Sequence, residues 1–464
     1  VVSDCGAVED FHVHQKVTSC TAESAGKAVR AGCDLNCGYA YSNLDKAVRD
    51  GYVTEEEIDR AVERLMATRM KLGLFADDDP YADIPYDIVD CPEHKEVALE
   101  AAEESIVMLK NEEAFLPVNV NTLRNIAVIG PNADDEAVYW GNYNGFPSKT
   151  ATVLDAVRDA APDTCRVWYA KGCGRGAQED FMHDNGGITE AVSAAERSDL
   201  AVLAVGLDSK IEGEEGDGGD RTDIGLTGKQ CELIEAVAGT GVPVALVIIS
   251  GGPVTVDTDK YPNIKAVLYA CYGGQSAGTA VANVIFGNYN PAGRLPYTIV
   301  RSADDLPPFE DYSMEGRTYR YFPKDKTPLY PFGFGLGFSA FEYSNAKAEC
   351  EDPEKEGITV SFDITNTGKY AGDEVAEVYI TGRADCPCRY PVRQLAAFDR
   401  LYIEAGATEK CVLHIDPRSL CWYNDEGERV FSHTRLTLSA GGNQGDARSL
   451  ELGGTKPLEF TVDI

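Results

Sequence analysis

The chain has 464 residues, 44% hydrophobic and 25% charged, which is enough for two or three packed domains of ordinary globular composition. Acidic residues outnumber basic ones by 76 to 42, and the net charge of −34 excludes a protein that grips nucleic acid through its phosphates. No apolar run approaches the roughly 20 residues of a membrane-spanning helix.

Residues 1–75 read as strand, loop and helices. The opening Val1-Val2-Ser3-Asp4 is an apolar step running straight into a polar loop, the end of a strand with no beginning, so the chain is expected to be a fragment. Thr54 and Glu57 have capping-box spacing, Ile58, Val62, Leu65 and Leu72 recur at helical intervals behind them, and Gly73 is the stop. Residues 76–95 are acidic, carry Pro80, Pro85 and Pro92 and show no period, which predicts a linker.

From 96 to 305 helical patterns alternate with short apolar runs at Ile126 to Ile129, Leu200 to Val205, Val244 to Ile249 and Ile264 to Tyr269. Runs of this kind between helices predict an α/β sandwich domain with a largely parallel sheet covered on both faces and ligand loops at its carboxyl edge. Residues 306–340, rich in Pro, Gly and Tyr, read as a connection. From 341 to 464 the period changes to two, as in Ile358-Thr-Val-Ser-Phe-Asp-Ile and Val375 to Ile380, with further short strands at 410–415 and 434–439. That pattern predicts an antiparallel β-sandwich.

The 14 cysteines are scattered and read as structural or free thiols, which favours a reducing, cytoplasmic setting over secretion. Cys33 with Cys37, or Cys386 with Cys388, has the look of half a metal site, but neither has a second pair at ligand spacing, so no metal is expected.

Several stretches together resemble glycoside hydrolase family 3. VVSDCGAVEDF (1–11) is similar to that family's nucleophile motif. AGCDLNCG (31–38) and GYVTEEEIDRAVERLMATRMKLGLF (51–75) are similar to the end of its barrel, and IAVIGPNAD (126–134) and FGNYNPAGRLPYTIV (286–300) to its second domain. GRTYRYF (316–322) and YPFGFGLGF (330–338) resemble its connection, and ITNTGKYAGDEVAEVYI (364–380) its fibronectin-III-like third domain. The resemblance implies α/β plus all-β architecture: the end of a (β/α)8 barrel over 1–75, the α/β sandwich and the fibronectin-like cap. A barrel needs about 250 residues, so most of it, with the residues that hold the sugar ring, is expected upstream.

The resemblance also implies chemistry. Retaining glycosidases need one ionised carboxylate beside the anomeric carbon and one protonated carboxyl for the leaving oxygen. It makes Asp4 the nucleophile, with Cys5 beside it as part of the substrate wall; from position alone, Asp4 is as well suited to capping the next helix. The acid/base falls in IEGEEGDGGDR (211–221), where the family's xylosidase-like members carry Glu-x-Glu-Gly-x-Asp-Arg. This chain departs from that pattern by an extra Glu and two extra residues, so Glu214 (counted from the N-terminal side) and Glu215 (counted from the Gly) both stand for the donor. Glu212 is a supporting or substrate-binding candidate. A solvated acidic turn or a calcium loop are the bland alternatives, although the spacing is not that of an EF-hand.

His12 and His14 read as structural, Asp34 as a cap or supporting partner, and Gly251-Gly252-Pro253 as only loosely like a phosphate loop, since it lacks the Lys-Ser/Thr ending. The expected activity is exo-β-xylosidase acting on an oligosaccharide or glycoside, without cofactor, nucleic acid or membrane partner; a homo-oligomer is compatible with the sequence. β-Glucosidase, an α-L-arabinofuranosidase side activity, or a non-catalytic remnant are the rivals.

Overall fold

The computed structural model describes residues 1–176, 186–212, 221–384, 391–424, 426–431 and 434–464. They form two compact units, 1–89 and 90–464.

The first unit is mostly helical, with helices at Ala7–Val13, Thr21–Arg30, Leu44–Arg49 and Glu55–Lys71. The last begins at the expected capping box: Thr54 Oγ1 accepts from Glu57 N at 3.3 Å, and Thr54 N donates to the Glu57 carboxylate at 2.9 Å. It stops before Gly73, which takes a positive φ. Two extended segments meet here in a parallel bridge, Val2 to Leu35, and Ser3 N donates to Leu35 O at 2.9 Å.

The second unit begins with a helix at Pro92–Ser105, starting inside the stretch expected as linker because Pro92 at its first turn needs no backbone donor. A six-stranded sheet follows. Its strands are β1 (Val107–Asn111), β2 (Asn125–Ile129), β3 (Arg166–Ala170), β4 (Leu200–Gly206), β5 (Val244–Ile249) and β6 (Ile264–Ala270), in the order β1-β6-β5-β4-β2-β3. All neighbours are parallel except β1, which runs antiparallel to β6. Successive residues point to opposite faces, and both faces are covered. Ala201, Leu203, Val205, Leu246 and Ile248 pack under the helices Gly186–Ala195 and Gln230–Ala238. Leu200, Val202, Ala204, Val247 and Ile249 pack under Val153–Ala160 and Ala277–Phe286. Each Val, Leu or Ile so buried contributes roughly 1.5–3 kcal/mol, which makes this sheet the rigid base of the unit.

Two glycines end strands where no side chain fits. A Cβ on Gly130, after β2, would lie 1.9 Å from Ala204 O; one on Gly206, at the end of β4, would lie 1.9 Å from Ile249 O. Both have positive φ, so the chain turns sharply off the carboxyl edge and loops crowd over it.

The remaining strands make two antiparallel sheets that close on one core. β7 (Phe341–Glu349), β8 (Ile358–Asn366) and β11 (Thr408–Ile415) form one, in the order β11-β8-β7. β9 (Gly372–Arg383), β10 (Gln394–Ile403), β14 (Arg435–Gly441) and β15 (Leu458–Asp463) form the other, in the order β10-β9-β14-β15. The short strands β12 (Trp422–Tyr423) and β13 (Arg429–Val430) pair with each other as a separate two-stranded ribbon. Ile358, Val360, Phe362 and Ile364 of β8 face Val378, Ile380, Leu436 and Leu438 across the sandwich.

Arg294 ties this sandwich to the α/β layer. Its Nη2 is 2.8 Å from Glu374 Oε2 on β9, its Nε donates to Gly442 O at 2.8 Å, and its Nη1 donates to Ala292 O at 2.9 Å. Tyr343 donates to Glu374 (2.7 Å), and Tyr379 donates to the neighbouring buried Glu377 (2.8 Å).

Candidate functional site

The functional candidates divide between the two units. In the first, Asp4 is exposed and follows directly on the Val2–Leu35 bridge. It does not cap the next helix: the N-cap of Ala7–Val13 is Gly6, at φ 77°, and no side chain bonds there. Among the described residues the Asp4 carboxylate has no hydrogen bond or ion pair. Its neighbours are fixed instead. Ser3 Oγ accepts from Asn36 Nδ2 (3.1 Å) and Cys37 N (3.0 Å), and Gly6 N donates to Cys37 O at 2.8 Å.

Cys5 and Cys37, expected as thiols, are joined in a disulfide. The parallel bridge puts the two segments side by side, and this contact across 32 residues is invisible in cysteine spacing. Cys5 is therefore half of a disulfide rather than a free thiol, and Cys37 is not half of a metal site with Cys33.

The other conspicuous residues of this unit are structural. His12 lies 3.1 Å from Ser24 Oγ and 3.3 Å from Thr21 Oγ1, and His14 lies 2.7 Å from Asp10. Asp34 takes a forked contact from Arg64 of the helix Glu55–Lys71, at 2.8 and 2.5 Å, which draws its carboxyl down to about 2.

In the second unit the polar residues gather over the carboxyl edge of the parallel sheet. Arg175, in the loop after β3, donates to Asp208 (3.0 Å), Asp135 (2.8 Å) and Pro131 O (3.1 Å), joining the loops that follow β2, β3 and β4. Asp208 also closes a turn by accepting from Lys210 N (3.0 Å) and Ile211 N (2.9 Å). This turn delivers Glu212. Its Oε1 accepts from Gly251 N (2.8 Å), Gly252 N (2.8 Å) and Ser250 Oγ (3.0 Å), all in the loop that follows β5.

Burial dominates the tyrosines beneath this turn. Tyr269, which donates to Gly252 O, is pushed up to about 12; Tyr272 and Tyr297 are driven higher still, with the charge of Glu212 adding to burial, so all three remain neutral hydroxyls. Glu214 and Glu215 lie outside the described residues. The chain is described again at Arg221, whose Nη2 donates to Pro253 O at 3.2 Å. Among the described residues no group of three or more His, Cys, Asp or Glu is placed to hold a metal ion.

Sequence comparison gives this geometry a family. Residues 106–338 match the model of the glycosyl hydrolase family 3 C-terminal domain, and residues 374–444 match that of the fibronectin type III-like domain. The chain belongs to glycoside hydrolase family 3. A protein of Formosa agariphila named β-xylosidase is 35% identical to this family 3 chain over 460 residues, covering 95% of this chain and 62% of the relative. Among solved structures, a β-glucosidase from Erythrobacter marinus superposes with a TM-score of 0.86 at 31% identity, covering all of this chain and 63% of that one. A family 3 exo-β-xylosidase bound to a xylobiose aziridine probe gives 0.84 at 28% identity, with coverage of 100% and 62%. The family 3 chain thus spans about three-fifths of the length of these relatives.

Proposed function

We propose that the chain supplies the nucleophile and the proton donor of a retaining exo-β-glycosidase that prefers β-xylosides. In this reading Asp4 attacks the anomeric carbon, and Glu214 or Glu215 protonates the departing oxygen. Water, activated by the same glutamate, then releases the glycosyl-Asp4 intermediate. The two carboxyl groups need to come within about 5–5.5 Å of each other when substrate is bound. The observation that carries the reading is the setting of Asp4: an exposed carboxylate at the end of a parallel-paired segment, capping no helix.

The parallel Val2–Leu35 bridge, with a helix after each partner, supports assigning residues 1–75 to the end of a (β/α)8 barrel, whose chemistry sits at strand carboxyl ends. The xyloside preference rests on Ser-Asp-Cys-Gly after the strand and on the relative named β-xylosidase. β-Glucosidase is the second reading, favoured by the β-glucosidase fold match. Glucose exceeds xylose by one hydroxymethyl group, and a pocket rejects so small a difference by only about 1–3 kcal/mol.

The test uses the full-length protein that carries this chain. Asp4→Asn should lower kcat/KM by at least about 10³-fold, and a fluorinated glycoside that traps the intermediate should label the peptide containing Asp4. Labelling of another carboxylate overturns the assignment. A higher kcat/KM for aryl β-glucoside than for aryl β-xyloside would replace the substrate and keep the mechanism.

A further inference from the structure

The glutamate that opens the acidic segment faces backbone. Three donors converge on Glu212 Oε1, two of them the consecutive amides of Gly251 and Gly252. Consecutive amides aimed at one point make an anion cradle, and here the anion is the chain's own carboxylate. The cradle leaves no slack. A Cβ on Gly251 would lie 2.6 Å from the Tyr272 ring and 2.9 Å from Glu212 Oε2. On the near side, the Asp208 turn fixes the approach to Glu212, and Arg175 fixes Asp208. On the far side, Arg221 bonds the carbonyl of Pro253, the next residue of the same loop. Glu212 and Arg221, the described residues on either side of 213–220, thus both bond the Ser250–Pro253 loop over the end of β5.

We propose that Glu212 is a positioning residue for the proton donor: its carboxylate, docked on the Gly251 and Gly252 amides, sets where the donor two or three residues later stands. The inference rests on the reading of Glu214 or Glu215 as donor. It also assigns the glycine pair, whose amides are taken up by the chain's own carboxylate.

A positioning role has a kinetic signature that loss of folding or of sugar binding lacks. Displaced donors hurt substrates in proportion to their need for protonation. In the full-length protein, Glu212→Gln keeps one oxygen for the two N–H groups but removes the negative charge that holds it on them. It should lower kcat/KM by about 10²-fold for alkyl glycosides and by no more than about threefold for a dinitrophenyl glycoside, steepening the dependence on leaving-group pKa. The basic limb of the pH profile should move, and azide should restore part of the rate on the activated substrate. Ser250→Ala, which removes one of three donors, should show the same pattern at smaller size and covers the case in which Glu212→Gln does not fold.

Glu214→Gln and Glu215→Gln, measured in parallel, separate the two claims. If either shows leaving-group-dependent loss while Glu212→Gln and Ser250→Ala lose activity equally on all substrates, or lose none, the positioning role is wrong and the donor reading stands. If neither shows it, the donor reading fails and the positioning role falls with it.

Discussion

Two places in the second unit hold a glutamate by convergent hydrogen bonds, one half-buried and one buried, and they do it differently. Over the carboxyl edge of the parallel sheet, Glu212 is held by backbone amides and a serine, with no cation on its carboxylate among the described residues. In the seam between the α/β layer and the sandwich, Glu374 pairs with the Arg294 guanidinium and takes the Tyr343 hydroxyl, while Glu377 takes the Tyr379 hydroxyl and feels the Arg294 charge without bonding it. Amides are fixed by the strands they follow, so the first arrangement aims a carboxylate without depending on a mobile partner. The second joins two layers, and its cohesion depends on one cation, Arg294, reaching the buried Glu374. Backbone-held carboxylates suit geometry that chemistry depends on, and cation-held ones suit cohesion.

Breaking the seam should have the largest effect on stability. Arg294→Met leaves Glu374 buried without its counter-charge, and the loss should be about 3–5 kcal/mol. Urea unfolding of the second unit would register it as a lower midpoint, or as separate unfolding of the sandwich. A loss below about 1 kcal/mol would mean that water already reaches the seam.

The next effect is one of pH. Burial raises the Glu377 carboxyl to about 8, against the pull of Arg294, with the charge of Glu374 opposing ionisation as well. The folded state then keeps a proton that the unfolded chain has lost above its own value of about 4.3. This group's contribution is therefore full below about pH 4, declines as pH rises towards 8 and is flat beyond, with a slope of at most about 1.4 kcal/mol per pH unit. Unfolding midpoints measured from pH 5 to 8 should fall more steeply in the native protein than in Glu377→Gln. Equal slopes would place the ionised form in the seam.

The smallest effect sharpens the contrast. Ser250→Ala should lower stability by only about 1 kcal/mol, because Glu212 keeps both amides, while still changing the leaving-group dependence described above. Calorimetry and kinetics on the one variant would separate cohesion from aim.

Much of this architecture was legible in the residues. β2, β4, β5 and β6 stood out because strands buried on both faces read as unbroken apolar runs. β1 and β3 did not. β1 follows the helix Pro92–Ser105 after one residue, and β3 is an edge strand whose Arg166, Val167, Trp168 and Tyr169 remain partly exposed. The role proposed for Asp4 rests on the motif around it and on its exposed position after the Val2–Leu35 bridge. The job of Glu212 was not legible, because its partners lie 38 to 40 residues away. The glycine pair that holds it had only the look of a weak phosphate loop. The Cys5–Cys37 pairing was hidden for the same reason: a contact between neighbouring parallel segments leaves no trace in local spacing.

β4 carries a consequence for descent. All seven of its residues are buried, and alternate ones face different helix layers. Neither side of the strand has a position at which a polar residue could arise without cost, so inheritance has little room to experiment there. The turn that leaves Gly206 is under no such restraint beyond Asp208 and Glu212. Lineages descending from this architecture should therefore hold the strand nearly constant while lengthening, shortening or recharging the segment that follows Glu212.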